Sequence, residues 1–215
     1  MSTVIAVDGT AASGKGTLAK KLAAHYGFAH LDSGSLYRLV ALGVADAHGD
    51  PRDEADAVAA ARAIDPGMAE DARIRSAEIG SAASLVSVFP AVRAALLAYQ
   101  RDFARRPPGA VIDGRDIGTV VCPDAQAKLF VDAAPEARAH RRWLELKGRG
   151  ENPDEALILK DILERDARDR SRATAPLKPA SDAILLDTTH LDIDAAFKAA
   201  LDIVEAKLKA LPQGF

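Results

Sequence analysis

The sequence holds one cysteine, Cys122, so no intramolecular disulfide can form and a cysteine-rich zinc site is excluded. Aromatic residues make up only 5%, which leaves little material for stacking platforms. Positive charge is not in excess. Lysine and arginine number 28 against 31 aspartates and glutamates, for a formal net charge of −3 and a pI near 6.0. That balance argues against a large nucleic-acid footprint. It leaves room for a small anionic substrate, which needs only a local cluster of arginines. Long apolar runs are also missing, and none approaches the ~20 residues needed to span a bilayer. The amino terminus Met-Ser-Thr-Val-Ile-Ala-Val-Asp has no basic lead, and its apolar run is too short for a signal peptide. These absences lead to the expectation of a cytoplasmic monomer with no membrane or nucleic-acid partner.

What is present suits one α/β domain of 215 residues, with 48% hydrophobic residues to fill its core. Short apolar runs alternate with long amphipathic stretches, the pattern of a parallel sheet wrapped by helices. Strands are predicted at Val4–Asp8, Phe28–Leu31, Ala110–Asp113, Lys128–Asp132 and Ala183–Asp187. Each ends in or beside an aspartate. In an open α/β sheet the carboxyl ends of the strands line the ligand crevice, so this clustering predicts a metal-phosphate site there. Helices are predicted at Gly14–His25, Ser35–Ala47, Asp53–Ala63, Ile74–Val86, Ala91–Ala104, Pro135–Lys147, Pro153–Ser171 and Ile193–Ala210. Pro153, after Asn152, reads as a first-turn proline. Two regions break the βα rhythm: a helical stretch over 35–104 and a polar, arginine-rich stretch over 148–179. Both read as inserts that close over ligands.

The first strand runs into Gly9-Thr10-Ala11-Ala12-Ser13-Gly14-Lys15-Gly16-Thr17 and then a helix. Gly9 and Gly14 let the backbone wrap so that successive N–H groups point at phosphate oxygens, and the helix adds its positive end. Lys15 reaches the β and γ phosphates, and Thr17 offers a hydroxyl to Mg²⁺ or its water shell. This signal specifies a nucleoside triphosphate without saying what is done with it.

Three further blocks lie at the same rim. Asp32-Ser33-Gly34-Ser35-Leu36-Tyr37-Arg38 offers Ser33 or Ser35 as a helix cap with Arg38 one turn on, a cradle for a second phosphate or a simple cap with a surface arginine. Asp113-Gly114-Arg115-Asp116 places a carboxylate where a Mg²⁺-bound water would sit and an arginine to balance phosphate charge. A salt-bridged turn is the other reading. In Glu164–Arg172, residues 165, 168, 169 and 172 share a helical face, so three arginines converge with Asp169. Asp161–Arg165, Arg165–Asp169 and Asp166–Arg170 are also i,i+4 pairs that would suit a solvated helix.

Together these blocks resemble the bacterial cytidylate kinase family of nucleoside monophosphate kinases from Val4 to about Leu208. The likeness rests on Gly-Lys-Gly-Thr at 14–17, the block at 31–38, Phe-Pro-Ala-Val-Arg at 89–93, Asp-Gly-Arg-Asp-Ile-Gly-Thr-Val-Val at 113–121, Ala-His-Arg-Arg at 139–142 and the arginine run at 164–172. It implies a five-stranded parallel P-loop kinase core with an acceptor-binding insert and an arginine-rich lid, using ATP and Mg²⁺. It implies transfer of the γ-phosphoryl group to CMP or dCMP. Another small P-loop kinase, acting on adenylate, shikimate or a coenzyme precursor, and a nucleotide-dependent binding switch are the alternatives. By resemblance Ser33, Tyr37, Arg38, Arg115 and Arg172 hold the acceptor phosphate. Ser84, Arg93 and Asp116 read the cytosine, and Arg165 and Asp169 hold the sugar. Lys15, Arg142, Arg165, Arg168 and Arg172 supply charge to the transfer, with Thr17 and, through water, Asp113 toward the metal. Two departures stand out. Thr10-Ala11-Ala12 replaces the family's usual Pro-Ser-Gly, and the small β-sheet insert is trimmed to Asp65–Ala69.

Overall fold

The chain was analysed as a computed structural model that describes residues 2–210. The single domain expected over 1–215 includes Met1 and 211–215, which lie outside the described residues. The backbone falls into two compact units, one of Met1–Leu31 with Ala104–Phe215 and the other of Asp32–Phe103.

The first unit is built on a five-stranded parallel sheet. Its strands are β1 (Thr3–Gly9), β2 (Ala29–Asp32), β3 (Gly109–Gly114), β4 (Ala127–Asp132) and β5 (Ile184–Asp187), in the order β2-β3-β1-β4-β5. Every predicted strand is present to within one residue at each end. β1 pairs with β3 on one side (Asp8 opposite Gly114) and β4 on the other (Asp8 opposite Phe130). Chain order reverses about β1, so the crevice opens at its carboxyl end, where the glycine-rich loop begins. Ile5, Val7, Val111, Leu129 and Val131 form a buried layer against Leu18, Leu22 and Ala200 from the helices α1 (Lys15–Tyr26) and α8 (Ile193–Lys209). Helices α6 (Pro135–Gly148) and α7 (Glu155–Ser171) pack on one another in the same unit.

The second unit is helical, with α2 (Ser33–Asp46) packed on α3 (Glu54–Ala63) and α4 (Ala77–Val86), followed by α5 (Pro90–Ala104). Leu36, Val40, Val44, Val86, Val92 and Leu96 form its own core. The trimmed segment around Asp65–Ala69 is a 3₁₀ turn, Pro66–Glu70, capped by Asp65, whose carboxylate accepts from Gly67 N–H.

Three expectations need correction. The helix predicted from Ile74 starts at Ala77: Ser76 caps it by accepting from Ile79 N–H, and Ala72–Arg75 is a separate 3₁₀ turn. The helix predicted from Pro153 starts at Glu155, because Asp154 outcompetes the proline as a start signal by accepting from Ala156 and Leu157 N–H. Arg172 lies one residue past α7 in extended backbone, so it does not share the helical face of 165, 168 and 169. No single helix among the described residues is long and apolar enough to cross a membrane.

Candidate active site

The loop Gly9–Thr17 is held by its carbonyls. Ser13 Oγ and Lys15 Nζ donate to the Thr10 carbonyl at 3.0 and 3.2 Å. Arg138 Nη1 donates to the Ala11 carbonyl at 3.1 Å, and Thr188 Oγ1 to the Ser13 carbonyl at 3.0 Å. In a trans peptide the N–H that follows points opposite to its carbonyl. The amides of Ala11, Ala12 and Gly14 therefore face away from these donors, which is how an anion nest is formed. Thr10, fully buried, also donates to Asp132 Oδ1 at 2.6 Å at the end of β4.

Gly9 admits no side chain, since a methyl there would stand 2.0 Å from the Val131 carbonyl of the neighbouring strand. Ala12 sits at φ 58°, in the left-handed region where a Cβ costs roughly 1–2 kcal/mol. Ala12 holds this conformation with a Cβ in place, at the expense of local strain. Ala12→Gly is expected to stabilise the protein by about 0.5 kcal/mol, the strain relief being partly offset by unfolded-state entropy. Ala12→Val is expected to destabilise it. Urea unfolding of the three proteins measures the order, and a glycine variant less stable than the parent contradicts it.

A second cluster surrounds Asp169 on α7. Arg115 Nε, just after β3, lies 2.9 Å from Asp169 Oδ2, and Arg172 Nη2 lies 3.4 Å from Oδ1. Burial pushes this carboxyl up, but Arg115, Arg172 and Arg165 outweigh it and hold it below the usual carboxylate range. Three guanidiniums act on this one buried carboxylate. Arg168 is half-buried on the same helix. Arg142 is engaged differently, its Nη1 donating to Glu145 at 2.7 Å within α6. The expected Asp166–Arg170 pair is present at 3.8 Å.

Asp113 is buried at the end of β3 with His30 Nε2 2.9 Å from its Oδ1. Its other oxygen faces the start of α1, 3.6 Å from where a methyl on Gly16 would stand. Asp116, 5% exposed, precedes a π-helical turn over Ile117–Val121 that sequence periodicity does not reveal.

In the second unit the helix cap is neither Ser33 nor Ser35 but Asp32, whose carboxylate accepts from Gly34 N–H at 2.9 Å. A charged acceptor suits a helix start better than a hydroxyl. Ser33 becomes the buried first residue, and Ser35 Oγ donates to the Asp32 carbonyl at 2.6 Å. Tyr37 and Arg93 meet, the guanidinium carbon 5.4 Å from the ring centre. Arg93 Nη1 donates to the Ser87 carbonyl, and Ser87 Oγ to the carbonyl of Ser84. Arg38 Nη1 donates to the Ile74 carbonyl at 2.6 Å, in space that Gly80 leaves open.

Sequence reasoning missed Arg138 and Thr188, and it read Asp8 and Asp132 only as strand-end aspartates and Asp166 only as half of a helical ion pair. The available signal was charge within an apolar stripe: Arg138 beside Ala139 and Leu146, and Asp166 one turn from Ile162.

A family model described as cytidylate kinase matches residues 5–206. A cytidylate kinase of Rhodopseudomonas palustris (strain TIE-1) is 60% identical over 203 residues, 94% of this chain and 96% of that protein. One from Bradyrhizobium sp. (strain ORS 278) is 61% identical over the same shares. Among solved structures, an uncharacterized protein from Eubacterium ventriosum aligns over 95% of this chain and 99% of its own, at TM-score 0.53 and 15% identity. TT1252 from Thermus thermophilus aligns over 96% and 98%, at TM-score 0.50 and 20% identity. These two support the fold alone.

Proposed function

The chain belongs to the cytidylate kinase family, and from that premise we propose how its own residues carry the reaction. It is an ATP-dependent nucleoside monophosphate kinase that transfers the γ-phosphoryl group of ATP to CMP or dCMP. The observation that carries the residue-level reading is the carbonyl-gripped loop with its inward amides, lying in the same unit as the guanidinium cluster around Asp169.

On this reading the amides of residues 9–17 and Lys15 hold the β and γ phosphates. Arg115, Arg165, Arg168 and Arg172 neutralise charge as the phosphoryl group moves in line, and Arg142 joins them by leaving Glu145. No general base is needed, because a phosphate monoester with a second pKa of roughly 6 is already largely deprotonated at neutral pH. Catalysis then consists of positioning two polyanions and stabilising the charge that develops. By the family resemblance Ser33, Tyr37, Arg38, Arg115 and Arg172 are assigned to the acceptor phosphate. Asp116, Ser84 and Arg93 are assigned to cytosine, and Arg165 and Asp169 to the sugar. Cytosine's amino group donates to a carboxylate such as Asp116, whereas uracil sets an acceptor against that carboxylate.

The residues present suit Mg²⁺ carried in with the nucleotide. Thr17 offers an exposed hydroxyl and Asp113 a buried carboxylate beside the loop helix. Among the described residues no cluster of three or more His, Cys, Asp or Glu forms a dedicated cage. A sparse donor set fits an ion that keeps several waters and leans on one or two carboxylates plus phosphate oxygens. Thr17 and, through water, Asp113 would hold it, and its charge would offset that of the phosphates. A monomer in the cytoplasm completes the reading.

ATP consumption coupled to each nucleoside monophosphate in turn provides the test. CMP and dCMP are expected to be phosphorylated at least about tenfold better than UMP, the ratio that one buried acceptor set against another acceptor implies. ATP loss at the same rate with every acceptor, or with none, contradicts the base assignment.

A further inference from the structure

The strand that feeds the phosphate loop carries Asp8, to which the reading above gives no role. Its carboxylate is 4% exposed, and both oxygens accept from main chain: Oδ1 from Ile117 N–H at 2.7 Å and Oδ2 from Gly118 N–H at 2.8 Å. These are the first two amides of the π-helical turn that winds directly onward from Asp116. Val120 and Val121 N–H donate back to the Asp116 carbonyl at 2.8 and 3.2 Å, and Cys122 N–H donates to that of Ile117 at 2.7 Å. An aspartate in the position before a helical turn ordinarily folds its own carboxylate back onto the second or third amide of that turn, here Gly118 or Thr119. Asp116 does not cap its turn. A carboxylate more than 100 residues earlier in the chain does so instead.

We propose that Asp8 is a positioning residue for base recognition: by capping the turn from the adjacent strand, it relieves Asp116 of that task and fixes the backbone from which Asp116 meets the cytosine amino group. The inference rests on the assignment of Asp116 to the base.

The charged groups around Asp8 come from two neighbours. Arg115 and Asp116 follow β3. Lys128 and Asp132 stand on the same face of β4, either side of Phe130, the register partner of Asp8. Lys128 Nζ is engaged by the Pro123 carbonyl and by Asp182 at 2.9 Å. Burial is the largest influence on Asp8 and Asp116 reinforces it. The two amides and Arg115 oppose them, and the carboxyl comes to about 7 from an ordinary 3.8. A protonated carboxyl carries its hydrogen on one oxygen and cannot accept from both amides in this geometry. The cap is therefore complete only once Asp8 has ionised, and base selectivity should rise with pH through that point.

The test follows kcat/KM for CMP and for UMP from about pH 5.5 to about pH 8.5, using the full-length parent, Asp8→Asn and Asp116→Asn. The phosphate ionisation shared by the two substrates cancels in their ratio. The parent's CMP-to-UMP ratio is expected to climb about tenfold across the range. Asp8→Asn keeps the size but accepts at one oxygen only. Its ratio should be independent of pH and about tenfold below the parent's upper plateau. An Asp8→Asn ratio that tracks the parent at every pH, while Asp116→Asn loses selectivity, overturns the positioning role and leaves the base assignment standing. Undiminished selectivity in Asp116→Asn removes the base assignment and this inference with it. If Asp8→Asn does not fold, the parent's own profile decides, since a flat ratio there is incompatible with the proposal.

Discussion

Lys15→Ala is expected to lower kcat by about 10²–10³ while leaving the fold intact. The magnitude is that of losing one preorganised charged donor from a site where charge develops during reaction. Lys15 is the first residue of α1, and its ammonium rests on the Thr10 carbonyl at 3.2 Å, within the loop it serves. It is a compact point charge on a flexible stem, able to leave that carbonyl and follow a phosphate as it moves. The loop does not depend on it for shape, because Ser13, Arg138 and Thr188 hold the same backbone by other bonds. The loss should therefore fall mainly on kcat, with little change in KM for CMP and an unchanged melting temperature. Steady-state kinetics with saturating ATP measure it. Turnover within about threefold of the parent would remove Lys15 from the transition state.

The second large effect concerns stability. Arg138 is 1% exposed and Asp166 2%, and they pair in a two-pronged contact at 2.6 and 3.2 Å. The guanidinium also donates to the Ala133 carbonyl at 2.8 Å and the Ala11 carbonyl at 3.1 Å. Four bonds from one planar group leave no room for a lysine to substitute. Removing one partner strands a buried charge, so Arg138→Met and Asp166→Leu should each cost about 3–5 kcal/mol. For a chain of this size that is a fall of about 10 °C in Tm. The double replacement by apolar residues removes both charges and should recover most of the loss. Activity should not recover with it, because the Ala11 carbonyl still lacks its donor. Thermal unfolding and turnover of the three variants measure both effects. Single variants costing less than about 1 kcal/mol, or full activity in the double variant, contradict this account.

The sheet was legible in the sequence because each strand is a short apolar run ending in or beside an aspartate, and burial on both faces of the central β1, β3 and β4 leaves few other ways to place such runs. The phosphate loop was legible because its glycines and lysine answer to local geometry alone. Asp8 and Arg138 were not legible as working residues. Asp8 meets Ile117 and Gly118, and Arg138 meets Ala11, all over 100 residues away, and no local pattern encodes contacts at that range. The helix starts at Ser33 and Glu155 were misjudged for a simpler reason. Asp32 and Asp154 offered a better acceptor than the serine or proline beside them. Arg172 was placed on a helix that ends one residue earlier, yet it still reaches Asp169 from the extended segment beyond.

The grip on Thr10, Ala11 and Ser13 falls on peptide oxygens, which every amino acid possesses. Part of the scaffold that shapes the Thr-Ala-Ala stretch is thus encoded far from it, at positions 138 and 188.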